Sequence, residues 1–494
     1  MAPSLPCASL ELDYPLYALD FDPEDAARLV VGGGGGAGRS GVGNKITVLE
    51  VRQDELRVTT EAELSRDEDS VMSLAVGPSQ GQGKPTRLFA GINSDMASGV
   101  NLHLRALALH HRSGARLAEL TRTALFANTD ADSYQRLLRL AGPVGAAASA
   151  MGKESQIAVF DSTGSQPKPR GLLQLPVDAE DLDLVQTAEG EFQLAFCYKH
   201  ELHVVALTAE QNSEPRLIYT VPVADDDDGG PRPAFRAIRF LTPTFLLAVS
   251  NLPQRRGVLI QGFRMPSSAT DMAAVAVAAR ISRNLSATAL AVANPSPVTP
   301  SWAALGDAQF VIAVAGSDSS IRLYTLEHRA ASTLNLLSGL DPVCTVAECH
   351  GRGSITGLAF SKPTSTGRGA KTVKLNLGSI SLQKSVAVHA VPLKEHSDGA
   401  EQRRRKNRGP PRKGRQVVAL RARKPSSTWL VVVLSLTVLL MAMVGQAVME
   451  LYGKSEPLLL GRRFSPEWHA ALASSPPPPP PLDARMVQVT APPQ

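Results

Sequence analysis

The sequence has few cysteines and lacks the common catalytic motifs. Its 494 residues include four cysteines, which are too few for a disulfide scaffold and indicate a reducing compartment for most of the chain: Cys7, Cys197, Cys344 and Cys349. The patterns G-x-S-x-G and H-E-x-x-H are missing, as is any His–carboxylate cluster, so covalent enzyme chemistry is not indicated. The N-terminus contains no apolar h-region, so no signal peptide is predicted.

Charge is missing from a long stretch near the C-terminus. Trp429 to Val448 are twenty residues without a charged side chain. As a helix they would span roughly 30 Å, the thickness of a bilayer's hydrocarbon layer. The alternative is a buried helix of a soluble domain, but such helices rarely lack charge on every face. We therefore predict one transmembrane helix at 429–448.

The net charge of +5 conceals a short basic segment before this span. Residues 398–424 carry +9, whereas the first 397 residues carry −4. Because positive flanks remain in the cytosol, we predict four parts in the following topology. They are a cytosolic domain at 1–397, a basic juxtamembrane linker at 398–428, the helix, and a luminal tail at 449–494 with a polyproline run. The basic segment lacks interleaved aromatics and adjoins the membrane, which favours lipid headgroups over nucleic acid as its partner.

The predicted cytosolic domain repeats one pattern seven times: a short apolar strand, a polar turn, and an alternating strand. Equivalent positions in the second strand recur every 45 to 65 residues: Ile46, Leu102, Ile157, Leu202, Val258, Ile321 and Val386. This spacing fits β-propeller blades of roughly 40–45 residues with loop insertions. We predict an all-β fold, a seven-bladed WD-repeat-like β-propeller with degenerate repeats. An open two-sheet sandwich is the alternative, disfavoured by the number of strands.

Smaller features refine this prediction. Gly353–Phe360 is predicted to be the innermost strand of a blade, and helical periodicity is found only near Asp132–Leu140. The acidic run Asp225–Asp228 lacks the spacing of a calcium loop. Cys344, Cys349 and His350 fit no zinc template, so neither segment is predicted to bind metal.

The first repeat contains eight glycines among residues 32–43. Such a run is either a slack hairpin tip or a backbone that must curl with positive φ, and the residues alone leave both open. A phosphate-binding loop is disfavoured, because Asn44 follows instead of Lys-Ser/Thr and a strand follows instead of a helix.

Three segments in and around this run form a recognisable set of motifs: Asp13–Ala18, Val30–Gly35 and Gly41–Leu49. This set resembles the first blade of the Sec-twelve-type exchange factors, which activate the Sar-type small GTPase of COPII coat assembly at the endoplasmic reticulum. The segments around Asn93–Leu104 and Asn128–Tyr134 are similar to the family more loosely.

The resemblance implies a function and a site. It implies that this glycine run, here called the glycine loop (residues 34–44), binds K+ through Gly41, Val42, Gly43 and Asn44. Asn44 would be the catalytic residue pressed against the GTPase, and Gly38, Arg39, Ser40 and Lys45 would flank that contact. Gly43 stands where the family usually has proline.

The implied function is guanine-nucleotide exchange on a Sar-type small GTPase, without a covalent step, by a single-pass protein of the endoplasmic reticulum membrane. A membrane-anchored propeller scaffold without exchange activity is the alternative, since the fold serves many roles.

Overall fold

The structure is a computed structural model, and most of the chain up to residue 420 and one later helix are described. The described residues are 5–38, 41–52, 55–78, 81, 84–95, 97, 99–110, 115–127, 133–164, 166–208, 212–223, 231–268, 270–281, 284–330, 335–365, 373–396, 415–420 and 427–452.

The first six blades are four-stranded antiparallel sheets whose strands follow one another in chain order. Blade 1 comprises β2 (Leu16–Phe21), β3 (Arg28–Gly33), β4 (Lys45–Val51) and β5 (Leu56–Glu63); blade 2 comprises β6 (Ser73–Val76), β7 (Thr86–Gly91), β8 (Leu104–His110) and β9 (Arg116–Thr123). Blade 3 comprises β10 (Tyr134–Ala141), β11 (Val144–Ala150), β12 (Ser155–Asp161) and β13 (Lys168–Leu175); blade 4 comprises β14 (Asp181–Ala188), β15 (Glu191–Tyr198), β16 (Glu201–Leu207) and β17 (Arg216–Thr220). Blade 5 comprises β18 (Ala234–Thr242), β19 (Phe245–Asn251), β20 (Val258–Arg264) and β21 (Ala274–Ile281); blade 6 comprises β22 (Ala287–Ala293), β23 (Ala308–Gly316), β24 (Ile321–Ala330) and β25 (Asn335–Val346).

Blade 7 joins the two ends of the propeller. It is built from β27 (Ile355–Phe360), β29 (Val373–Ser381) and β30 (Ser385–His396), preceded by β26 (Cys349–Arg352) and with the short β28 (Thr364–Ser365) paired to β29. The N-terminal strand β1 (Cys7–Glu11) pairs with β30 as the outer strand, and β31 (Arg415–Val418) extends the sheet further. The ring is therefore closed by strand pairing between the first and last parts of the domain.

Strand β4 shows why a blade strand is apolar on both faces. Ile46 and Val48 pack into a cluster shared with blade 2, whereas Leu49 and Val51 pack into a cluster shared with blade 7. Successive side chains of a strand point to opposite faces, and each face of this blade meets a neighbouring blade. Each face of this strand is therefore buried against a different neighbouring blade, and neither face is exposed to solvent.

The seven-bladed prediction is confirmed. Six of the seven equivalent positions lie in the third strand of successive blades, and Leu102 lies two residues before the third strand of blade 2. Strand β27 is the innermost strand of blade 7, as Gly353–Phe360 predicted. The helical periodicity near Asp132–Leu140 is misleading, because residues 134–141 form strand β10. A bulge between Gln135 and Leu137 shifts the alternation there and imitates helical spacing.

The innermost strands surround a central cavity of about 370 Å³ that is lined by residues from all seven blades. Charged side chains are concentrated on one side of this cavity. Arg239 and Arg139 both approach Asp181, and Arg236 lies 3.8 Å from Glu180. The lining holds four arginines, including Arg136, against these two acids, so it carries a net positive formal charge.

The chain divides into two compact units, Met1–Ala422 and Arg423–Gln494. The second contains helix α1 (Ser427–Leu451), which includes the predicted span 429–448. Its segment Val432–Glu450 is long and apolar enough to cross a membrane. Strand β31 falls inside the predicted basic linker, so part of that segment belongs to the sheet of blade 7.

Candidate functional site

The glycine loop connects the second and third strands of blade 1. The last pair of the β3–β4 ladder is Gly33 with Lys45, and the loop emerges from that point. In an alternating antiparallel sheet, this connection lies on the same face as the connection from the fourth strand to the next blade. The loop therefore lies beside residues 64–72, here called the blade connector, which leads from β5 to β6.

Asn44 holds the loop together from inside. Its side-chain oxygen accepts a hydrogen bond from the N–H of Gly36 at 3.0 Å, and its amide nitrogen donates to the carbonyl of Gly36 at 3.3 Å. The same nitrogen donates to the main-chain carbonyl of Glu68 at 2.7 Å. Asn44 is 1% exposed. The side chain to which the family resemblance assigns the catalytic role thus faces inward and ties the loop to the blade connector.

Two glycines of the loop are required by this arrangement. Gly34 has φ of 148°, and a Cβ there would lie 2.0 Å from the side-chain oxygen of Asn44. Gly36 has φ of 82°, and its Cβ would lie 3.1 Å from a carboxylate oxygen of Asp69. Of the two alternatives left open by the sequence, the curled, ordered backbone applies to this base of the loop.

The outer part of the loop is exposed. Ala37, Gly38 and Gly41 are exposed, and Val42 and Gly43 are half-buried. A Cβ on Gly38 or Gly41 would meet open space. The predicted partner residues Arg39 and Ser40 lie outside the described residues.

The segment Asp13–Ala18 packs against both ends of the loop. The carbonyl of Pro15 accepts a hydrogen bond from the N–H of Gly34 at 3.0 Å. Asp13 forms an ion pair with Lys45 at 2.8 Å, which raises the pKa of Lys45 and lowers that of Asp13. The two sequence motifs that carry the family resemblance are therefore parts of one structure.

Tyr14 supports the strand that follows the loop. Its hydroxyl lies 2.6 Å from the hydroxyl of Thr47, which in turn donates to Glu61 at 2.8 Å. Burial raises the pKa of Tyr14 above its ordinary value, because the charged phenolate is unfavourable there.

Blade 2 repeats the arrangement of Asn44, which the sequence analysis did not recognise. The side-chain oxygen of Asn101 accepts from the N–H of Ser94 at 3.0 Å, and its amide donates to the carbonyl of Ser133 at 3.4 Å, just before the first strand of blade 3. In both blades an asparagine shortly before the third strand ties its own loop to the connection into the next blade. The presence of an asparagine shortly before the third strand in both blades is the sequence signal that could have revealed this arrangement.

The other metal candidates do not converge on a site. Within the described ranges, no group of three or more His, Cys, Asp or Glu side chains is placed to hold a metal ion. The ring nitrogens of His350 lie 2.7 Å and 2.8 Å from the hydroxyls of Ser385 and Ser379. The acidic run Asp225–Asp228 lies outside the described residues.

Fold and site together define a seven-bladed propeller, a glycine loop whose base is held by Asn44, and one apolar helix that fits a single-pass membrane protein. The chain is similar to the guanine nucleotide-exchange factor SEC12 of Candida glabrata, with 30% identity over 206 residues. The match covers 36% of this chain and 42% of that protein, so this chain spans less than half of the relative's length. The predicted resemblance to Sec-twelve-type exchange factors is thereby confirmed.

No protein-family model matches the chain. Among solved structures, Sqt1 from Chaetomium thermophilum has 11% identity and a TM-score of 0.46, with 78% of this chain and 99% of that one covered. The Cps50 (Swd1) β-propeller domain of Myceliophteria thermophila has 12% identity and a TM-score of 0.43, with the same coverage. Similarities of this degree are no guide to function.

Proposed function

We propose that this protein is a guanine nucleotide-exchange factor for a Sar-type small GTPase at the endoplasmic reticulum membrane, where it starts COPII coat assembly. The observation that carries the proposal is the glycine loop, whose family-like motifs meet in one ordered structure around Asn44. The similarity to SEC12 supports the same activity.

Exchange of this kind requires no covalent step. A protein that binds the nucleotide-free GTPase more tightly than the GDP-bound form weakens GDP binding by the same factor, because the two equilibria are linked. Contacts that displace the switch segments and disturb phosphate and magnesium coordination are sufficient. Among the described loop residues, Ala37, Gly38 and Gly41 are exposed, so we propose that this part of the loop makes such contacts.

Because the side chain of Asn44 faces inward, we propose that it stabilises the glycine loop in the free protein. In the free protein its amide group is occupied by Gly36 and Glu68, so the side chain organises the loop that the GTPase meets. A direct contact between Asn44 and the GTPase, as the family resemblance implies, requires the loop to open on binding. Lys45 is held by Asp13 at the base of the loop.

Potassium fits the donor chemistry of the loop. The carbonyls of Gly41, Val42 and Gly43 lie beyond the β3–β4 ladder and would supply the oxygen ligands that a weakly hydrated cation takes. The carbonyl and side-chain oxygens of Asn44 already accept hydrogen bonds from Leu64 and Gly36. K+ would fix the loop backbone next to the tip, and Asn44 would hold its base.

The membrane helix gives the proposed activity its location. The propeller would face the cytosol and the C-terminal tail the lumen, so that the GTPase is loaded with GTP beside the bilayer. A membrane-anchored scaffold is the second candidate, supported by the propeller and the apolar helix alone.

Release of labelled GDP from a Sar-type GTPase tests the proposal. With the full-length protein in liposomes we expect release to accelerate by about 5- to 150-fold in potassium buffer, the range of typical coupling free energies. The acceleration should fall in sodium buffer. If the protein does not change the rate of GDP release in either buffer, it has no exchange activity on this GTPase, and the membrane-anchored scaffold is the remaining candidate.

A further inference from the structure

Glu68 links the glycine loop to a network of charges in blade 2. It lies in the blade connector, where its main-chain carbonyl accepts the hydrogen bond from Asn44 at 2.7 Å. Its carboxylate points the other way, into blade 2. One residue therefore contacts the loop through its backbone and the next blade through its side chain.

Two arginines of blade 2 bind this carboxylate. Arg105 on β8 donates to both oxygens of Glu68, at 3.0 Å and 2.8 Å, and Arg122 on β9 donates to one of them at 2.6 Å. Glu119 pairs with both arginines, at 3.3 Å in the case of Arg105. The charges of the two carboxylates and the two guanidinium groups therefore balance. Arg105 binds Glu68 with the bidentate geometry of a charge-assisted pair.

The inner part of this network is buried. Arg105 is 0% exposed and Glu68 is 5% exposed. Burial acts to raise the pKa of Glu68, but the hydrogen bonds and charges of Arg105 and Arg122 outweigh it and lower the pKa. Glu68 is thus held ionised and in one position, because a buried carboxylate deprived of its partners would be strongly unfavourable.

We infer that Arg105 and Arg122 are positioning residues for the glycine loop: they fix Glu68, and the carbonyl of Glu68 fixes Asn44. Blade 2 thereby sets the conformation of a loop that belongs to blade 1. The consequence for exchange activity depends on the proposed function, whereas the consequence for loop order does not.

Arg122→Gln tests this inference with little risk to the fold, because the Arg122 side chain is 39% exposed. The control is Arg52→Gln, an exposed arginine at the β4–β5 turn on the opposite face of blade 1, whose partner Glu50 lies at 3.0 Å. Amide hydrogen exchange of residues 34–44 is measured on the full-length protein in liposomes. We expect exchange about tenfold faster in Arg122→Gln, the lower end of the effect of one lost charged hydrogen bond, and no change in the control.

Nucleotide-exchange kinetics separate positioning from direct contact. If Arg122 acts through Glu68, Arg122→Gln lowers kcat for GDP release and leaves KM for the GTPase nearly unchanged. In Arg122→Lys, part of the lost kcat should be restored. A raised KM with normal hydrogen exchange of the loop would instead make Arg122 a GTPase contact and overturn the inference. Unchanged hydrogen exchange alone would also overturn it. If the wild-type protein does not accelerate GDP release from the GTPase, the proposed function is wrong. The hydrogen exchange of residues 34–44 still tests the inference in that case.

Discussion

Gly34→Ala is expected to remove most of the acceleration of GDP release. A Cβ at this position would lie 2.0 Å from the side-chain oxygen of Asn44 and 2.6 Å from its Cα, so Asn44 must move. Its three hydrogen bonds to Gly36 and Glu68 would then be lost. At about 1 kcal/mol each this is roughly 3 kcal/mol of loop stability, enough to lower the population of the ordered loop by up to about 100-fold and to return GDP release close to the rate of the GTPase alone.

Asn44→Ala should produce the same loss, because it removes the same hydrogen bonds without a clash. The control is Gly306→Ala, since a Cβ there meets open space in the loop between β22 and β23. The measurement is GDP release by the full-length protein in liposomes, with thermal unfolding recorded for each variant. Full activity of Gly34→Ala at an unchanged melting temperature would show that the glycine run is slack and that its order is irrelevant to exchange.

The repeat spacing was sufficient to predict the propeller because each third strand is apolar and follows a turn. Ile46 and Ile321 mark this strand in blades with very different loops. Ring closure was not predictable in the same way. Strand β1 completes a sheet whose other strands lie more than 340 residues later, and its short sequence carries no sign of that partner.

The position of the glycine loop was predictable, but the orientation of Asn44 was not. Eight glycines before a strand indicate a specialised connection, whereas the direction of a side chain depends on residues brought close by the fold. The carbonyl of Glu68 lies 24 positions further along the chain, and Arg105 lies on another blade. The family resemblance predicted Asn44 as the functional residue of the glycine loop. The structure adds the hydrogen bonds to Gly36 and Glu68 that hold its side chain.

Acid is expected to destabilise the propeller between pH 6.5 and 4 because burial lowers the pKa of His103, His350 and His389. Burial lowers the pKa of His103 to about 4, and burial together with His389 lowers that of His350 to about 4. In the unfolded chain the ordinary value near 6.5 applies, so within this window the unfolded state binds protons that the folded state does not. The free energy of unfolding therefore falls as the pH falls, by up to about 3 kcal/mol for each of His103 and His350.

The local contacts explain why His103 resists protonation. Its Nε2 accepts a hydrogen bond from the N–H of Leu125 at 3.1 Å, and its ring stacks on Phe126 with centroids 4.4 Å apart. A proton on Nε2 would break that hydrogen bond and place a charge in an apolar contact. Asp20 acts in the opposite direction, because burial raises its pKa to about 6 and the folded state then gains protons below that pH. Burial also raises the pKa of Asp183, so the net loss of stability should be smaller than the histidine contribution.

His103→Gln isolates one histidine from this balance. Residues 1–422 contain all seven sheets and their cores, so urea unfolding of this unit at pH 6.5, 5.5 and 4.5 measures the effect. The variant should be less stable than wild type at pH 6.5, and the difference should shrink by roughly 1.4 kcal/mol per pH unit as wild type alone loses this contribution. His110→Gln is the matched control, because it makes the same substitution at the exposed end of β8. A difference for His103→Gln that does not vary with pH would mean that His103 binds its proton equally well in the folded and unfolded states, in spite of its contacts with Leu125 and Phe126.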